Sequence, residues 1–220
     1  DDEELVVSAD SVLSSADVTL LETLLGFFDR LAAENSKDLN TESAAARRRV
    51  GDIQQHLGRL EDARQSYQIS FDTYQIIATK NPDDANLMIA QAEILHQMMI
   101  TSAKLGKIPD AVKDFQNLRT RLTSSPALQE SARARYTLAT AINSLVAFRL
   151  PTAVEPRNRI RNPLFNRTSS AVEPPNPALR QRLQRESDSN NEALSILKQL
   201  ITEQPSSVAY RLALAEATKD

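Results

Sequence analysis

The residues that could do chemistry in this chain are few, and most of them stand apart. The two histidines, His56 and His96, are 40 residues from each other, and no HxxxH pair or cysteine accompanies them. A metal ion held by them would need further ligands that the sequence does not place nearby. The four glycines are isolated and form neither GxxxxGK nor GxGxxG, the loops whose backbone cradles phosphate. No serine sits in a GxSxG elbow, the turn that exposes a nucleophile. The sequence therefore reads as non-enzymatic, with no metal and no cofactor.

Binding chemistry is better represented. Arg47-Arg48-Arg49 is a basic triplet, yet on a helix its side chains fan over about 200°, so they cannot all meet one partner. From Arg149 to Arg185 there are eight arginines against two glutamates, and six of the chain's ten prolines fall between Pro151 and Pro177. Such a stretch could grip RNA, an acidic protein or anionic lipid, but its single aromatic, Phe165, offers little stacking for bases. Its prolines forbid a regular helix, which predicts a solvated insert over 149–176. Asn166-Arg167-Thr168 matches a glycosylation sequon and is read as chance. The net charge of −3 gives no general attraction to nucleic acid or membranes. No apolar run reaches the roughly 18 to 20 residues of a membrane span. With no cysteine, a reducing, cytoplasmic setting is expected. The chain opens on Asp1-Asp2-Glu3-Glu4 without Met, as expected of a piece of a longer polypeptide.

The elements that must position these residues follow from an internal repeat. HLGRLEDARQSY (His56 to Tyr67) returns 48 residues later as KLGKIPDAVKDF (Lys104 to Phe115), with Leu, Gly, an aliphatic, Asp, Ala and an aromatic at identical offsets. Helical apolar spacing flanks both copies, in a composition rich in helix formers and 5% aromatic, so the fold is read as all-α. Each unit is helix, glycine turn, helix, proline stop. Gly58 and Gly106 are read as structural turn residues at left-handed helix ends, with Leu60 and Ile108 packing back on the helix they leave. Asp62 and Asp110 fall in the first turn of the next helix, where the dipole favours a carboxylate. Ala63 and Ala111 allow two antiparallel helices to approach. A third copy is split by the insert: one helix from about Ala127 to Phe148, the other through Asn191 to Leu200, with Asn176-Pro177 as a possible N-cap and first residue.

Small, glycine, aromatic and proline at these offsets resemble the tetratricopeptide repeat. The matching residues are Val50, Gly51, Gly58, Leu60, Ala63, Tyr67 and Ser70, then Leu95, Met98, Gly106, Ile108, Ala111, Phe115 and Leu118, then Leu138, Ala139, Ala193, Leu197, Leu200 and Pro205. The resemblance implies one α-solenoid domain of antiparallel helix pairs over 1–220: partial repeat 17–34, repeats 41–82, 86–126 and 127–205, partial repeat 207–218. The units are elongated, 44 to 48 residues apart instead of about 34. Met99 stands where a small residue is usual, and Val146 replaces a third turn glycine. The stretch LLGFFDRLAAEN followed by AAARRRVGDIQQHLGRLEDARQSY also looks like the helical tails of large bacterial serine/threonine protein kinases.

In this repeat family the first helices line a concave groove. Alignment to it makes Arg48, Asp52, Gln55, His96, Tyr136 and Asn143 the partner-contacting residues, with Ile100 and Thr140 beside them. The family's clamp for a peptide carboxylate has Lys and Asn where this chain has Arg48 and Asp52, and Asp52 would repel that group. The function expected is a non-catalytic scaffold for a protein or peptide. The alternatives are a regulatory segment of a bacterial kinase, and binding of nucleic acid or an acidic partner through the insert.

Overall fold

Asn40, Asp84, Ser125 and Ser207 each turn a side-chain oxygen onto backbone N–H groups two or three residues ahead, and a helix begins after each one. The computed structural model describes residues 14–34, 40–149 and 177–218. Its helices run α1 (Ser15–Glu34), α2 (Thr41–His56), α3 (Leu60–Ala78), α4 (Ala85–Lys104), α5 (Ile108–Leu122), α6 (Pro126–Glu130), α7 (Ala132–Arg149), α8 (Pro177–Glu203) and α9 (Val208–Ala217). Among the described residues there is no strand, and no helix is long and apolar enough to cross a membrane. The insert expected over 149–176 lies outside the described residues from Leu150 onward, as do Asn166 and Asn176. Pro177 is the first residue of α8.

The chain divides into two compact units, Asp1–Leu118 and Arg119–Asp220, with the boundary inside α5. In the first unit α2 and α3 are antiparallel. Ser70 donates to the Ala44 carbonyl at 2.6 Å, Tyr67 to Asp52 at 2.9 Å and Ser66 to Gln54 at 2.7 Å, so residue numbers rise on one helix as they fall on the other. Gly51 fits this approach because a Cβ there would stand 2.6 Å from the Tyr67 ring. Gly58 and Gly106 take φ of 74° and 73°. Around Gly58, Arg59 N–H reaches the Gln54 carbonyl and Gly58 N–H that of Gln55; Lys107 and Gly106 repeat both bonds to Ser102 and Ala103. Ala63 and Ala111 are buried where the helices meet. Ile108 departs from its expected place: it is 42% exposed, whereas Leu60 is half-buried.

Within the first unit, bonds also join α2 to α4 and α3 to α5, each pair running parallel. Arg48 and Gln55 of α2 reach Glu93 and Thr101 of α4; Glu61 and Arg64 of α3 meet Lys107, at the head of α5, and Asp114 of α5. The basic residue after each turn glycine pairs with a glutamate on the preceding helix of the other kind: Arg59 with Glu22 of α1 at 2.6 Å, Lys107 with Glu61 at 2.8 Å.

In the second unit α7 packs on α8, burying Leu138, Ala139, Ile142 and Leu145 together with Ala193, Leu197 and Leu200. The single helix expected over 127–148 is two. Ser131 is extended (ψ 120°), and its hydroxyl accepts from Ala134 N–H at 3.4 Å, so it caps α7 after the short α6 has buried Leu128. A serine offering its own backbone an alternative partner breaks the helix there.

Candidate binding seams

The residues aligned to a groove fall into two sets, one in each unit. In the first unit Arg48, Asp52 and Gln55 lie on one stripe of α2, at steps of four and three residues, and His96 lies on α4. Arg48 Nη1 is 2.7 Å from Glu93 Oε2, and both side chains are partly covered. Gln55 accepts a hydrogen bond from the Thr101 hydroxyl at 2.7 Å. Asp52 accepts from the Tyr67 hydroxyl and, at 3.2 Å, from Arg49. His56 sets Nδ1 2.7 Å from the Asp52 carbonyl.

Electrostatics tie these groups together. Burial pushes His96 down to about 4, Arg48 lowers it further, and Glu93 acts the other way. His96 is thus a neutral imidazole beside an ion pair. Burial also raises the Tyr67 phenol, which the Asp52 charge reinforces while Arg48 opposes it. The result is a polar seam between α2 and α4, backed by α3.

In the second unit Tyr136 stands with its ring centroid 5.2 Å from that of Tyr210, tilted by 42°, and Asn143 donates to the Ala213 carbonyl at 3.4 Å. The ring contact and the hydrogen bond both join α7 to α9, so these two residues mark a second seam. The Tyr136 phenol is raised, chiefly by burial, with the Glu216 charge adding to it. Thr140 returns its hydroxyl to the Tyr136 carbonyl of its own helix.

The six residues aligned as partner-contacting also make bonds or contacts within the chain. Their partners Glu93, Thr101, Tyr210 and Ala213 were not read from the sequence. A usable signal exists: the partners of Arg48 and Gln55 stand 45 and 46 residues further on, close to the 48 separating the turn glycines. Among the described residues no three His, Cys, Asp or Glu side chains converge to hold a metal ion. Comparison of the chain with family models, with curated proteins and with solved structures finds no match.

Proposed function

We propose that the chain is a non-catalytic helical scaffold of the tetratricopeptide kind, an α-solenoid whose first helices receive a protein or peptide partner. One observation carries this reading. The side chains at the α2–α4 seam are polar, partly accessible and held in place by bonds across the helices, so a partner meeting Arg48, Gln55 and Glu93 finds them already ordered. Groups fixed before binding lose little rotamer entropy on contact. The mixture of Arg, Gln, His and Tyr suits recognition of a polar peptide better than burial of an apolar one. A cytoplasmic setting belongs to the reading, on the absence of cysteine.

The seams of the two units are tested separately. A partner isolated by affinity capture is titrated against Arg48→Ala for the first unit, Tyr136→Ala for the second, and Gln75→Ala on an exposed face of α3 as the control. An Arg or Tyr at the centre of a contact is typically worth about 2 kcal/mol, so each seam that binds should lose roughly 30-fold in affinity. Circular dichroism reports folding in parallel. Folded Arg48 and Tyr136 variants that bind as tightly as the wild type would sink the proposal.

A further inference from the structure

Among the described residues, the large apolar side chains more than half exposed lie on two helices only, Leu20 and Phe27 on α1 and Val208 and Leu212 on α9. Each set belongs to a stripe. Leu20, Leu24 and Phe27 follow steps of four and three residues, as do Val208, Leu212 and the exposed Ala215. The stripe on α1 has a counterpart that shows what fits against it. Ala63, Tyr67 and Ser70 stand 43 residues after Leu20, Leu24 and Phe27, and they form the buried side of α3 against which α2 lies antiparallel. The half-buried Leu21, Leu25 and Phe28 precede Arg64, Gln68 and Phe71 by the same 43 residues. Those three line the side of α3 next to α4, and α1 packs on α2 in the same way. The open stripe of α1 is therefore the side on which α3 carries an antiparallel helix.

The second unit supplies a helix of that kind. α9 packs on α8 and bonds to α7, as α4 packs on α3 and bonds to α2. Its outer stripe is open, like that of α1. The two units also differ in sign: residues 1–118 hold twenty acidic side chains against eleven basic ones, and residues 119–220 hold nine against fifteen. Opposite net charges draw unlike units of two copies together and hold like units apart. A contact of α1 with a second α1 would set acidic unit against acidic unit.

We propose that copies of this chain associate through unlike units, α9 of one copy lying antiparallel on α1 of the next, so that Val208, Leu212 and Ala215 cover Leu20, Leu24 and Phe27. The inference does not rest on partner docking, because Tyr210 of the second seam is about 200° around α9 from both Val208 and Leu212. One helix on one helix is a small interface, so the dissociation constant should be on the order of 10 to 100 µM. The contact joins different surfaces of the two copies, and that makes it testable by complementation. The test is sedimentation velocity of the full chain from about 5 to 300 µM, with circular dichroism as the check on folding. The wild type should gain mass with concentration, at least to a dimer. Leu20→Glu and Leu212→Glu alter exposed side chains, so each should stay folded and, alone, monomeric. Mixed in equal amounts they should form a one-to-one dimer, since the Leu212→Glu copy keeps its α1 stripe and the Leu20→Glu copy keeps its α9 stripe. Ile76→Glu, exposed on α3, should associate as the wild type does. Three results would overturn the proposal: a wild-type chain still monomeric at about 300 µM, a Leu212→Glu variant that self-associates like the wild type, or a mixture no heavier than its two parts.

Discussion

His96 is held neutral by its surroundings, and that fixes how the fold should respond to acid. Its folded value is about 4 against an ordinary 6.5. Below pH 6.5 the unfolded chain takes up a proton that the folded chain refuses, so stability is fully present above about 6.5 and falls as the pH drops towards 4. The loss should be on the order of 2 kcal/mol across that window. Asp114, raised in the fold, works in the opposite sense, so the informative quantity is the difference between wild type and His96→Gln. Denaturant midpoints at intervals from pH 7 to pH 4 should fall less steeply in the variant; parallel curves would show that His96 is not the group responsible. Legibility at this scale depended on whether a residue's role is local. The positive φ of Gly58 and Gly106 could be read directly, because a helix reversing within a few residues needs a left-handed position. The lowering of His96 could not, since it depends on packing and on the charge of Arg48, which stands 48 residues earlier on another helix.

Between elements, the ion pairs explain what apolar periodicity leaves unsaid. Arg48 could be placed on a groove-facing position by its alignment to the repeat family, but that pattern carries no information about the acid opposite. Removing it leaves the Glu93 carboxylate, only 17% exposed, without its cation. Arg48→Ala should therefore cost about 2 kcal/mol, and Arg48→Ala with Glu93→Ala less than the sum of the two single changes. Urea titration of the four proteins in the cycle measures this, and additive costs would mean that the pair contributes nothing. Helix identity was legible almost throughout, as was the start of α8 at Pro177, because caps, glycine and proline act locally. The break at Ser131 is not legible in the sequence. Apolar spacing continues through it, and a single serine hydroxyl decides between helix and cap.

On the scale of the whole molecule, each unit has, among the described residues, an end helix with large apolar side chains left exposed. Leu20 and Phe27 of α1 are more than half exposed, and so are Val208 and Leu212 of α9. In α4, Ile94, Leu95 and Met99 are buried. When stability is the sum of contacts with neighbours, helices with more exposed apolar surface open first. Amide hydrogens of α1 and α9 should exchange at least about a hundredfold faster than those of α4, as followed by mass spectrometry or NMR. Equal protection would show a single cooperative unit reaching the ends. The division between Leu118 and Arg119 had no signature in the sequence, since it falls inside a continuous helix with no linker composition around it. The ion pairs at the turns bear on how such a chain could lengthen. If residues 59–106 were duplicated in tandem, Arg59 of the copy would meet Glu61 of the original, and Lys107 would meet Glu61 of the copy, so every turn would keep its pair. The seam would not be copied so faithfully. Glu93 of the copy would face His96 of the original in place of Arg48, exchanging an ion pair for a neutral imidazole. Growth by duplication is therefore permitted at the turns and penalised between the first helices until a basic residue replaces that histidine.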